Sequence, residues 1–321
     1  MKKATKIWLI IAASLLFTGM IIFGSVMTML GWDFTRLSTV KYETNEHAIT
    51  QSFKNISVVS DTADIVFAPS DDANVTVICR EQVSLKHSVT VKDDTLTIEL
   101  SDTRHWYEYF GISFQSTTIT VYLPRAEYGA LQIRSHTGDV SIPQDFSFDS
   151  MDISQGTGDV TSHASTLHGM KIQTSTGNIR VENVSAGSLD LTVTTGKIAA
   201  NRVSCAGDVG IHVSTGDAEL TDIACYDFSS NGSTGDIDLK NIIAAHALTI
   251  VRSTGDVEFE DCDAAIIAIK TDTGDVEGTL RSAKIFFTKT DTGKVEVPKT
   301  MNGGMCEITT DTGDIEVKIS K

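Results

Sequence analysis

The sequence predicts an all-β chain, a single-domain β-solenoid of stacked 19–20-residue rungs preceded by one transmembrane helix. Three observations carry this. Thr-Gly recurs ten times after residue 130, always 19 or 20 residues apart. Apolar and polar residues alternate on both sides of each Thr-Gly, the period of a strand with one buried face. Ile7 to Leu30 holds 24 residues without a charge.

The uncharged segment comes first. As a helix it spans roughly 36 Å at ~1.5 Å per residue, against a hydrocarbon core of about 30 Å. A secretory signal has a shorter apolar core, about 7–15 residues, and a small-x-small cleavage site. No Ala-x-Ala follows here, so an uncleaved anchor is favoured. Lys2, Lys3 and Lys6 precede the segment, whereas Asp33 and Glu43 offset Arg36 and Lys41 after it. The positive-inside rule then places residues 1–6 in the cytoplasm, 7–30 in the membrane and the remainder outside. Trp8 and Trp32 stand where interfacial aromatics are expected.

Residues 31–49 read as a juxtamembrane linker, and 50–130 as an irregular β region that caps the rod. Within it, Ser60-Asp61-Thr62-Ala63 resembles a degenerate copy of the repeat turn, with Ala63 in the glycine position. Asp71-Asp72 and Asp93-Asp94 read as turns. Between its strands lie Trp106, Tyr107, Tyr109 and Phe110, with Phe114 close by, in a chain that is only 7% aromatic. They form either a recognition patch or, the favoured reading, an apolar lid over the end of the rod. Near a membrane such a loop could also touch lipid.

Residues 131–321 carry the regular repeat. Its glycines are Gly138, Gly158, Gly177, Gly196, Gly216, Gly235, Gly255, Gly274, Gly293 and Gly313. The next residue is Asp in seven copies, Asn178 in one, and Lys197 and Lys294 in two. Glycine suits a sharp corner that needs positive φ, and Asp, Asn and Thr hydrogen-bond nearby backbone there. A strand, a tight turn and a second strand are therefore expected in each copy. One rung cannot offset the entropy of ordering it, so rungs must stack, each closing its neighbour's core. Ten rungs at ~4.8 Å make a rod about 50 Å long.

Composition excludes some functions. With 26 basic and 42 acidic side chains the formal charge is -16, a poor match to nucleic-acid phosphates. Cys79, Cys205, Cys225, Cys262 and Cys306 form no CxxC pair, so neither a zinc ribbon nor a thioredoxin motif is present. Cys205 and Cys225 each follow a repeat glycine by nine residues. Stacking could bring them within disulfide range, although small buried apolar side chains are the favoured reading.

The recurring Asp, with Asp272, Asp291 and Asp311 beside it, raises calcium binding. The calcium nonapeptide pattern is missing, however, and a solvated structural turn is favoured. The eight histidines share no register, and the hydrolase-elbow, zinc-protease and phosphate-loop motifs do not occur. No catalytic residue, metal ligand or cofactor is assigned. The chain ends at Lys321, eight residues after Gly313. The last rung is thus expected to be an open edge able to pair with another chain, discouraged by Lys318 and Lys321.

The Thr-Gly-Asp-Val/Ile turns, "VYLPRAEYGALQI" and the anchor followed by "GWDFTRLSTVKYETNEH" resemble a bacterial domain-of-unknown-function family known as "putative adhesin", β-strand repeat-containing. The resemblance covers nearly the whole chain. It implies an anchored extracytoplasmic rod without established catalytic residues, and some relatives belong to cell-envelope stress systems. The expected role is non-catalytic: adhesion, surface scaffolding or envelope sensing, with the membrane and a cell-wall or envelope protein as partners. The alternatives are a polysaccharide-active solenoid enzyme, which would need a cleft with convergent Asp and Arg, and a polymer-forming scaffold.

Overall fold

The computed structural model describes residues 3–37, 40–71, 74–102 and 115–320. The apolar segment is one helix, Lys3–Met29. Within it Thr5–Met29, with a mean hydropathy of 2.3, is long and apolar enough to cross a membrane. From Tyr42 onward the described chain is almost entirely strand, joined into one continuous hydrogen-bonded sheet wound as a solenoid of about ten turns.

The rung around Gly177 shows why the sequence winds this way. Gly169–Thr176 leads into the glycine and Ile179–Ala186 leaves it. Ile172 pairs in parallel with Ile153 below and Leu191 above, while Ile179 pairs with Val160 and Ile198. The departing strand bends at Asn183, whose φ is 58°. Beyond that bend Val184 continues the ladder to Val203. Each such rung therefore has three legs and a second corner, where a strand, a turn and one further strand were expected. Arg202, Asp222, Asn241 and Asp261 repeat this left-handed corner, each six residues after its glycine. The inward half of the alternation forms the core: Ile172, Leu191, Ile211, Ile250 and Ile269 before the glycine, and Val181, Leu220 and Leu239 after it, are at most 3% exposed.

At the amino-terminal end, Asn55–Pro69 forms a further rung. Thr62 pairs with Thr137 and Ile65 with Val140, so Ala63 does occupy the glycine register. Beyond this rung the pairing turns antiparallel. Val75–Gln82 pairs with Thr117–Leu123 on one side and Tyr42–Ile49 on the other. Leu85–Lys92 and Thr95–Asp102 form a hairpin through Asp93 and Asp94, at φ 48° and 60°, as a two-residue type I′ turn requires.

The carboxy-terminal end departs from expectation. The last segment of the chain is not the last rung. Gly304–Thr312 lies between Ile266–Thr273 and Lys284–Thr292. Gly274 N–H donates to Thr312 O at 2.9 Å, and Gly313 N–H to Thr292 O at 3.0 Å. The terminal edge in space is therefore the Gly293 rung as far as Glu296, which pairs with Glu316; beyond it Lys318 pairs with Thr279 alone and stands at the open edge. The inner rung turns Ile308, Ile315 and Val317 inward, at most 2% exposed. The outer rung offers Thr288 at the matching register and leaves Val295 43% and Phe287 57% exposed. Burial on both sides rewards the more apolar rung.

Candidate functional site

The corner glycines support a second ladder built from the residue that follows them. Asp139 Oδ1 accepts the Asp159 N–H at 2.8 Å, Asp236 that of Asp256 at 2.9 Å, and Asp256 that of Asp275 at 2.8 Å. Asn178 Oδ1 accepts the Lys197 N–H at 3.0 Å. These carboxylates serve the backbone of the adjoining rung, which gives the recurring Asp a structural cause. The two lysines fit the same rule. Lys294 lies on the terminal rung, where among the described residues no further backbone asks for an acceptor, and its own N–H is taken by Asp314 Oδ1 at 2.7 Å.

Lys197 lies inside the rod and has no oxygen to offer the Asp217 N–H. Its ammonium instead pairs with the Glu219 carboxylate, an exposed contact of small worth. Lys197→Asn is therefore expected to stabilise the rod by about 0.5–1 kcal/mol, the net value of a new hydrogen bond. Chemical denaturation would show this as a raised midpoint. An unchanged or lowered midpoint would count against the acceptor role.

Two positions beyond the Asp ladder lies the strongest electrostatic feature. Glu219, Asp238, Glu258, Glu277, Glu316 and Glu296 stack in unbroken register over six rungs. The first five, Glu219 to Glu316, edge a groove of about 680 Å³ whose floor includes Leu220, Leu239 and Phe259. Burial, then Glu219, Asp236 and Asp217, raise the Asp238 carboxyl above its ordinary range. Lys240 and Lys318 enter the groove, and the Lys240 ammonium is held by Glu260 at 2.6 Å. Neither Arg nor His lines it. The groove thus lacks the convergent Asp and Arg of a polysaccharide-active cleft and presents a surface that attracts cationic groups.

Of the other expected positions, Trp106, Tyr107, Tyr109 and Phe110 lie outside the described residues. The strands on either side of them, Thr95–Asp102 and Thr117–Leu123, both pair in parallel with Asn55–Pro69. Gln115 is held by Tyr42 Oη, which donates to its carbonyl at 2.8 Å, and by Arg80 Nη2, which donates to Oε1 at 2.9 Å. Cys205 and Cys225 sit on adjacent rungs, buried and as free thiols; burial pushes them up to about 11 and 12. The second corner, at Asn183, Arg202, Asp222, Asn241 and Asp261, was not expected from the sequence. Those side chains also stack: Asn241 Nδ2 donates to Asp222 Oδ1 at 2.6 Å.

The family model described as Toastrack DUF4097 matches residues 53–217 and again 204–321. No curated protein matches the chain. Among solved structures, a "putative adhesin" from Parabacteroides distasonis is 13% identical with a TM-score of 0.47, over 87% of this chain and 98% of that one. A "putative lipid binding protein" from the same species is 16% identical with a TM-score of 0.45, over 88% and 98%. A "putative adhesin" from Bacteroides fragilis is 14% identical with a TM-score of 0.43, over 87% and 97%.

Proposed function

We propose that this chain, which belongs to the Toastrack DUF4097 family, is a membrane-anchored extracytoplasmic rod with a non-catalytic binding role at the cell envelope. One observation carries the reading. A helix able to span a bilayer, Thr5–Met29, leads through a short connection to the antiparallel end of the solenoid, beginning at Tyr42. Twelve extended residues reach at most ~40 Å, which supports a rod tethered by its capped end. The basic residues Lys2, Lys3 and Lys6 at the amino-terminal end of the apolar segment support a cytoplasmic amino terminus. The smooth, acidic groove supports recognition of a partner rather than turnover of a substrate.

The test is topological. Cells producing the full chain would be treated with proteinase K before and after lysis, and the membrane-retained chain sequenced from its amino terminus. The expected result is digestion of the rod in intact cells, with Met1 or Lys2 still present on the membrane-bound form. Protection of the rod until lysis would reverse the orientation. Loss of residues 1–30 from the mature chain would make the helix a cleaved signal.

A further inference from the structure

The amino-terminal end of the rod holds a buried cluster of groups that neither the anchor nor the groove uses. Cys79 and Glu81 project from the same face of Val75–Gln82, and His87 meets them from Leu85–Lys92, across the tight turn that joins the two strands. The exposures are 0%, 0% and 4%. One ligand atom from each, sulfur, carboxylate oxygen and imidazole nitrogen, lies within 4.8 Å of the other two.

The second partners of these groups are also in place. Glu81 Oε2 accepts from the His87 backbone N–H at 2.6 Å and lies 2.7 Å from His87 Nδ1. Glu81 Oε1 accepts from Asn45 Nδ2 at 2.9 Å. On the far side of the ring, His87 Nε2 stands 3.1 Å from the Ser60 hydroxyl. Ser60, His87 and Glu81 thus follow one another in the order of a nucleophile, a base and its orienting acid. Ser60 is only 5% exposed, which leaves its oxygen no room for a substrate carbonyl.

The geometry points to a site for a borderline divalent transition-metal ion of the zinc class, held by three protein ligands, Cys79 Sγ, Glu81 Oε2 and His87 Nδ1, with a solvent molecule as the fourth donor. Thiolate, imidazole and carboxylate together are the donor set such ions select. Bonds of ~2.0–2.3 Å at tetrahedral angles place donors roughly 3.3–3.6 Å apart, so the nitrogen and oxygen need separate by less than about 1 Å. Asn45 and Ser60 supply the outer hydrogen bonds that orient a carboxylate and an imidazole on a metal.

The protons balance. Without metal, burial and the Glu81 charge push the Cys79 thiol up to about 12, so sulfur holds its proton at neutral pH. On binding, sulfur releases that proton to solvent. An imidazole that ligates through Nδ1 carries its one proton on Nε2, which donates to Ser60 Oγ after the hydroxyl rotates. A thiolate and a carboxylate then balance the charge of a divalent ion in this buried position.

The test uses the full chain in detergent, titrated with Co²⁺ and competed with Zn²⁺. The expected result is a saturable near-ultraviolet thiolate-to-cobalt absorption, abolished by Zn²⁺ and by Cys79→Ser but kept in Cys306→Ser, whose thiol lies at the other end of the rod. Asn45→Ala should weaken affinity about 10–100-fold. A wild-type chain without the band would overturn the site, as would a band surviving in Cys79→Ser or in His87→Gln. If Cys79→Ser fails to fold by circular dichroism, the wild-type and His87→Gln spectra decide alone.

Discussion

Gly216→Ala is expected to destabilise the rod by about 3–5 kcal/mol, the sum of backbone strain and overpacking at a site that cannot relax. Gly216 has a φ of 125°, and a Cβ there would overlap the carbonyl oxygen of Gly196 in the adjacent rung. Both obstacles are backbone, and the same glycine-on-glycine contact repeats above and below. Relief would therefore require separating two rungs and breaking their ladder. Gly169→Ala is the matched control. It lies outside the corner, and its nearest neighbour would be Ser188 Oγ at 3.4 Å, so a change within about 1 kcal/mol is expected. Chemical denaturation of the two variants beside the parent checks the pair. Equal midpoints for Gly216→Ala and the parent would refute the steric account. Hydrogen exchange should further show protection lost first on the rungs flanking residue 216, because stacked repeats couple mainly to nearest neighbours.

The second large effect is a gain. Arg252→Met combined with Ser230→Ala is expected to stabilise the chain by about 1–4 kcal/mol, the range seen when buried ionic groups give way to apolar ones. Arg252 is 1% exposed. Its Nη2 donates to Ser230 Oγ at 3.0 Å, while Nε and Nη1 have no partner among the described residues. Burial lowers its guanidinium from the ordinary value, with Asp217 and Asp236 acting against the shift. Three residues before the glycine, other rungs place a threonine whose hydroxyl reaches the adjacent rung's carbonyl, as Thr174 does to Gly158 at 3.3 Å and Thr310 to Gly274 at 3.2 Å. The arginine fits only because the adjacent rung carries Gly232 at the matching position, where a Cβ would overlap Nη1. A lower melting midpoint for the double variant would mean that the buried cation contributes to the fold, and that its two free nitrogens are satisfied in solution.

Much of the rod was legible because its determinants are local. Thr-Gly at a fixed period, with alternating residues on either side, specifies the corner, the inward face and the register together. Val181, Leu220 and Leu239 are buried as the alternation requires, and Ala63 keeps the register without a glycine. The second corner was missed for a local reason: the series at Asn183, Asp222, Asn241 and Asp261 mixes two residue types and includes Arg202, so no single letter marks it. The buried Cys79, Glu81 and His87 were illegible for another reason. Their spacing matches no ligand motif, and only the turn between two antiparallel strands brings His87 back onto the carboxylate.

By itself, then, the sequence determined the rung: its length, its glycine corner, its inward residues and the membrane-length helix ahead of it. The order of the rungs was left to the tertiary structure. Locally the Gly293 and Gly313 copies are interchangeable, because each has the same corner and the same alternation. Only the assembled rod distinguishes a position covered on both sides from one covered on a single side. Ile308 gains more than Thr288 from double coverage. Asp314 can serve the N–H of the rung beyond it, whereas Lys294 can serve none. Those two differences place the final segment of the chain inside the stack and leave the earlier Gly293 rung at its tip.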